Sequence, residues 1–210
     1  MPQERKGTDE SELATWFADT RRVIETAYLA SDDPIVQSGF GGGPERWRRE
    51  REAILAAVTA DGDFLDACCA NGHLLECLVA WARERGVLLV PFGSDYSERL
   101  IELARARLPA HGSNFWVANA WDWRPPRTFR YVYVLLDCVP TDKMPELAKR
   151  LLARAVSPGG RLIAGHYGSR SRGEPPLPVP QILRSAGLTV AGESSGGEPT
   201  LTRFAWVDKP

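Results

Sequence analysis

Phe64-Leu-Asp-Ala-Cys-Cys-Ala-Asn-Gly72 is an apolar run that ends in an acid at Asp66 and passes at once into small residues. Helical periodicity begins at about His73, where Leu74, Leu75, Leu78, Val79 and Ala82 fall on one stripe. A second apolar run, Val87 to Phe92, then delivers another acid, Asp95, inside Gly93-Ser-Asp-Tyr-Ser97. The order is strand, turn, helix, strand, acid. In a doubly wound α/β domain that order brings backbone against a ligand at the turn. It also puts a carboxylate where two ribose hydroxyls need an acceptor. The stretch therefore predicts a fold and an adenosine-containing ligand together.

Alternation continues downstream. Strands are expected at Phe64 to Cys68, Val87 to Phe92, Asn114 to Ala118, Tyr131 to Leu136 and Gly160 to Gly165. Helices are expected over His73 to Arg85, Ser97 to Leu108 and Thr141 to Ala155, which forces crossovers and a parallel sheet. The stiff Glu174 to Pro180 connector leads to a short helix, Gln181 to Ala186. Two β-like runs, Leu188 to Ala191 and Leu201 to Val207, then make an antiparallel hairpin around a Glu193 to Pro199 loop.

Upstream, Ser11 to Ala30 carries a helical period. The segment Gln37-Ser-Gly-Phe-Gly-Gly-Gly-Pro44 cannot hold regular structure, and Glu45 to Ala60 makes a charged helix started by Pro44. The predicted architecture is a doubly wound, mostly parallel seven-stranded sheet with a C-terminal hairpin. Residues 1–60 form an N-terminal helical cap with a Gly-rich lid, and 61–210 the α/β domain, as one unit.

With 210 residues, 43% hydrophobic and 25% charged, the chain is an ordinary globular one. A net charge of -1 gives no attraction to a phosphate backbone, so nucleic acid is not an expected partner. No run reaches membrane-spanning length and Met1 to Glu10 has no apolar core, so neither a membrane nor export is expected. Cys68, Cys69, Cys77 and Cys138 have no metal-type spacing and read as reduced, small apolar residues of a cytoplasmic protein. The basic run Arg46 to Arg51 is interleaved with glutamates and reads as a solvated helix face.

Two ligand classes use such a turn. Dinucleotide enzymes need G-x-G-x-x-G, and here large residues (His73, Leu74, Leu75) follow Gly72. The turn instead resembles motif I, Asp-x-Gly-x-Gly-x-Gly, of class I S-adenosylmethionine-dependent methyltransferases, and the Gly-rich Phe40 to Pro44 with Trp121-Asp-Trp123 resembles an uncharacterised bacterial branch of that family. Asp95 resembles the ribose ligand of the family's second strand, and Ala118-Asn-Ala120 its Gly-Asp-Ala motif. Leu151 to Ile163 resembles its helix, Pro-Gly-Gly turn and fifth strand, and the hairpin its last two strands. The resemblance runs from Asp63 to Val207, although Cys68 and Ala70 replace the first two motif glycines.

The resemblance implies S-adenosylmethionine as cofactor and a small-molecule methyl acceptor, at O or N. It implies cofactor contacts from Asp66, Cys68, Ala70, Gly72, Asp95, Tyr96, Asn119, Ala120 and Trp121. Asp66 would orient the amino end of the methionine portion and Asn119 would meet the adenine amino group. Asp137 and His166, at the ends of the fourth and fifth strands, would pair as a base. No metal is expected, because His166 and Tyr167 stand where a catechol-type branch carries oxygen ligands. Phe40 is the lid candidate and Tyr167 with Gly168 to Gly173 the opposite wall. A non-catalytic protein that binds adenosyl ligands is the alternative.

Overall fold

The computed structural model describes residues 10–210; the start of the expected cap, with the polar Met1 to Glu10 stretch up to residue 9, lies outside them. Seven strands form one sheet in the order β3-β2-β1-β4-β5-β7-β6. They are β1 Gly62–Asp66, β2 Leu89–Asp95, β3 Phe115–Val117, β4 Phe129–Leu135, β5 Val156–Tyr167, β6 Gly192–Gly196 and β7 Thr202–Asp208. The first five pair in parallel; β7 runs antiparallel to both β5 and β6. The helices are α1 Glu10–Tyr28, α2 Gly43–Arg51, α3 His73–Glu84, α4 Glu98–Arg107, α5 Met144–Arg154 and α6 Val179–Ser185. Chain order reverses between β1 and β4. In open α/β sheets the crevice beyond the strand ends at that point is where ligands bind.

Strand alternation separates two cores. Leu65, Val132, Val134, Leu162 and Ala164 face α5 and α6. Phe64, Tyr131, Tyr133 and Ile163 face α3 and the segment from α2 to Ala57. The period-2 pattern of each strand thus fixes which helix covers which side.

Four expectations change. The charged helix expected to Ala60 is α-helical only over α2 and continues as a 3-10 turn, Glu52–Ala57. The Pro-Gly-Gly segment is not a turn ahead of β5 but a bulge inside it: Phe129 pairs with Val156, and the next pair is Tyr131 with Arg161. A Cβ at Gly160 would lie 2.7 Å from the Arg130 carbonyl oxygen, so the bulge needs glycine there. Leu188 to Ala191 is not a strand; half-buried Leu188 and Val190 instead pack on the α5/α6 core. Strand β6 forms from Gly192-Glu-Ser-Ser-Gly196, within the expected loop.

That edge strand is held by docking. The Ser194 hydroxyl donates to the Ala53 carbonyl at 2.7 Å, and the Thr202 hydroxyl to that of Glu50 at 2.6 Å. Arg161 Nη1 donates to the Ala57 carbonyl at 2.7 Å. The α2 segment and the C-terminal hairpin are therefore joined directly, while α1 lies nearer the surface, with Leu13 as its buried residue. No described helix is long and apolar enough to cross a membrane.

Candidate functional site

The turn after β1 has no room for alternatives. Gly72 begins α3 at φ +74°, and a Cβ there would meet Ala104 at 3.0 Å. Asn71, fully buried, accepts from the His73 amide at 3.1 Å and donates to Gln37 Oε1 at 3.1 Å and the Pro34 carbonyl at 3.0 Å. The Ser38 hydroxyl also reaches Asn71 Oδ1 at 3.0 Å. Asn71 thereby fixes the turn to the segment that leads into the glycine-rich stretch around Phe40. Sequence reasoning did not single it out; a polar residue between Ala70 and Gly72 was the available signal.

Ala70 carries the consequence of replacing the motif glycine. Its φ is +46°, a left-handed value that glycine adopts freely and an L-residue reaches at a cost of about 1–2 kcal/mol. The conformation survives because the Ala70 amide donates to Asp95 Oδ2 at 3.0 Å. Restoring glycine adds unfolded-state entropy that offsets about 0.4–1 kcal/mol of the relief. Ala70→Gly is therefore expected to stabilise the fold by about 0.5–1 kcal/mol in urea unfolding; a destabilised variant would show that the loop carries no strain.

Three carboxylates from three adjacent strands converge here. Asp66 ends β1, Asp95 ends β2, and Asp137 lies in the turn after β4. Asp66 is 2% exposed; burial, against a hydrogen bond from the Cys68 amide at 3.3 Å, pushes its carboxyl up to about 7. Asp95 accepts from the Ser97 amide at 2.9 Å as well as from Ala70, yet burial still raises it to about 6. Asp137 opens to the cavity, where the loss of bulk water raises its carboxyl; the charge of His166 opposes the shift.

All three line a cavity of about 700 Å³. Its floor adds Cys68, Cys69, Ala70, Tyr96 and Cys138. Tyr28 of α1 and Phe40 form part of the roof. Tyr28 is pushed up to about 12, by burial first and then by Asp137 and Asp95. Tyr133 and Tyr167 share a 2.8 Å hydroxyl hydrogen bond along one wall, which Gly168 continues. Cys68 and Cys138 interact across the floor, and this contact and burial hold the Cys68 thiol well above its usual range.

The remaining expected residues lie elsewhere. Gly72 is beneath the turn and does not line the cavity. Asn119 Oδ1 accepts from the Trp121 amide at 3.0 Å, and Ala120 is buried. The Trp121 ring lies under the Arg150 guanidinium, 3.9 Å from its centroid. These three stay beside the end of β2, where the Ala118 amide donates to the Asp95 carbonyl at 2.9 Å, but outside the cavity lining.

His166 is likewise not on the lining. Its Nδ1 accepts from the Leu177 amide at 3.1 Å, so the neutral ring carries its proton on Nε2 and has no free lone pair. Burial lowers its basicity further. The base expected of the pair with Asp137 is not formed by this imidazole.

The solvated face expected for Arg46 to Arg51 is also corrected. Arg48 does pair with Glu52 and Glu84, but Arg46, Trp47, Glu50 and Arg51 line the cavity. Trp47 and Arg51, four apart, occupy one helix face, and that spacing was the missed signal.

No family model matches the chain, and no curated protein sequence matches it. Solved structures do. One is the 1,6-didemethyltoxoflavin N1-methyltransferase of Burkholderia thailandensis, crystallised with 1,6-didemethyltoxoflavin and S-adenosylhomocysteine. It aligns at TM-score 0.67 and 14% identity, over 99% of this chain and 93% of that one. An S-adenosylmethionine-dependent methyltransferase of Aquifex aeolicus aligns at TM-score 0.58 and 18% identity, over 90% and 98%. The [4+2]-cyclase SpnF aligns at TM-score 0.57 and 13% identity, over 76% and 80%. The chain has the fold these proteins share, that of class I methyltransferases.

Proposed function

We propose that the chain is an S-adenosylmethionine-dependent methyltransferase acting on a small molecule, at O or N. The observation that carries this is the convergence of Asp66, Asp95 and Asp137, from adjacent strand ends, on one cavity at the sheet's switch point. The residues present suit an adenosyl cofactor. Cys68 and Ala70 are small, Ala70 keeps the glycine-like backbone, and Asp95 is buried at the strand end where ribose hydroxyls need an acceptor.

Asp95 would hold the ribose, Asp66 the amino end of the methionine portion, and Tyr96, on the lining beyond Asp95, the adenine side. When bound, the sulfonium supplies an electrophilic methyl group, so alignment of the acceptor within the cavity does most of the work. Asp137 is the group positioned to take the proton that an acceptor hydroxyl or amine loses. His166 stands behind the lining, its Nδ1 held by the Leu177 amide.

A second reading, an adenosyl-binding protein without turnover, is favoured by one feature, the strained Ala70 in place of glycine. Calorimetric titration separates the readings from other ligand classes. Micromolar binding of S-adenosylmethionine and S-adenosylhomocysteine is expected, with NAD⁺ silent. Silence toward both adenosyl ligands, or preference for NAD⁺, would overturn the site. Methyl transfer is then checked by S-adenosylhomocysteine release with candidate acceptors, which Asp137→Asn should slow at least tenfold.

A further inference from the structure

The cavity is charged in two halves. Acids line its floor at the strand ends, and arginines line the wall supplied by α2 and the loop after β5, where Arg46, Arg51, Arg170 and Arg172 lie. Three of these have partners. Arg46 Nε donates to Glu50 Oε1 at 2.9 Å, Arg170 Nη2 to the Glu198 carbonyl at 2.9 Å, and Arg172 Nε to Glu174 at 2.7 Å.

Arg51 differs. It is 4% exposed, and its Nε and Nη1 are buried with no hydrogen-bond partner. Glu50 Oε2 stands 3.5 Å from Nη1, too far for a hydrogen bond, and the other oxygen of that carboxylate serves Arg46. Rings surround the guanidinium, with centroids at 3.9 Å for Trp47, 4.3 Å for Phe40 and 4.4 Å for Tyr167. Stacked rings satisfy the faces of a guanidinium and leave its in-plane N–H groups unused. A buried charged donor without an acceptor is costly, so such a group marks a place where a ligand completes the bonding.

We infer that Arg51 is a carboxylate receptor, and that the small-molecule acceptor carries the carboxylate it receives. A carboxylate is planar and matches two parallel guanidinium N–H groups. The surrounding rings add a flat apolar wall, which suits an acid attached to a planar or aromatic body. The polarity of the cavity agrees: a cofactor that is cationic overall belongs over Asp66, Asp95 and Asp137, and an anionic acceptor over the arginine wall. The identity of the ligand as acceptor rests on the methyl-transfer reading above. The receptor itself rests on Arg51 alone.

Benzoate and its uncharged analogue benzamide, titrated by ligand-observed NMR with and without S-adenosylhomocysteine, are the test. Benzoate is expected to bind at least tenfold more tightly than benzamide. Arg51→Met keeps apolar packing and should erase that preference; Arg51→Lys keeps charge without the fork and should weaken benzoate about fivefold. Both variants should bind S-adenosylhomocysteine within twofold of the wild type.

Equal binding of benzoate and benzamide by the wild type overturns the proposal, and that comparison does not depend on a variant folding. Retained benzoate preference in a folded Arg51→Met does the same. A different source of the carboxylate would show as loss of S-adenosylhomocysteine affinity in Arg51→Met with 5′-methylthioadenosine, which lacks the amino acid portion, unaffected. That result would assign Arg51 to the cofactor and overturn the acidic acceptor. If no adenosyl ligand binds, the methyl-transfer reading fails, while the benzoate comparison still decides whether Arg51 receives a carboxylate.

Discussion

Between pH 5 and pH 8 the free protein is expected to lose about 3 kcal/mol of folding stability that the Asp66→Asn variant keeps. The Asp66 carboxyl lies at about 7 in the fold against 3.8 for the free group, chiefly because burial penalises its charge. Below the unfolded value both states hold the proton. Between the two values only the folded state holds it, so stability falls as pH rises and levels off above about 7. Asp95, raised to about 6, acts with the same sign. His73 and His166, lowered by burial, act with the opposite sign below their ordinary value of 6.5. Comparison with Asp66→Asn removes those shared contributions. Asparagine also keeps an oxygen for the Cys68 amide, so the turn survives. Urea unfolding of both proteins across this range is the measurement, and parallel stability curves would show that Asp66 stays ionised in the fold.

Asp95→Ala is expected to weaken S-adenosylhomocysteine binding at least a hundredfold, about 3 kcal/mol. Two ribose hydroxyls would lose a charged acceptor, worth about 1.5–3 kcal/mol for each bond. The side chain also anchors the turn, since Ala70 and Ser97 both donate to it. Removing it frees the Ala70 amide, and the left-handed backbone there relaxes at the same moment. Asp95→Asn keeps one acceptor oxygen and should fall between, at about tenfold. Unchanged calorimetric affinity in a folded Asp95→Ala would remove the ribose from this strand end, and the cofactor site with it.

The sheet was legible because its strands are apolar runs with acids or small residues at their ends. Asp66 and Asp95 fall where the order of elements puts them. What escaped was set by tertiary contact. Gly192-Glu-Ser-Ser-Gly196 has no β-forming composition and becomes a strand because β7 on one side and the Ala53 carbonyl on the other accept its donors. Arg51 was hidden by its neighbours: a basic residue among glutamates reads as solvated until Phe40 and Tyr167, distant in sequence, close over it. His166 lies at a strand end as expected, yet an amide eleven residues away occupies its lone pair. Position along a strand is a local property. The direction and occupancy of a side chain are not.

The bonds from α2 and the 3-10 turn after it to the hairpin join residues 141 and 152 positions apart, Ala53 with Ser194 and Glu50 with Thr202. A chain made on the ribosome emerges in order, and contacts of long separation close last. Helix α2 can meet α3 early, through Trp47 on His73 and Arg48 with Glu84, but its Glu50 carbonyl waits for Thr202 until nearly the whole chain has emerged. The bond that ties this wall of the cavity to the sheet edge is thus among the last to close, and the finished cavity dates from the arrival of β7.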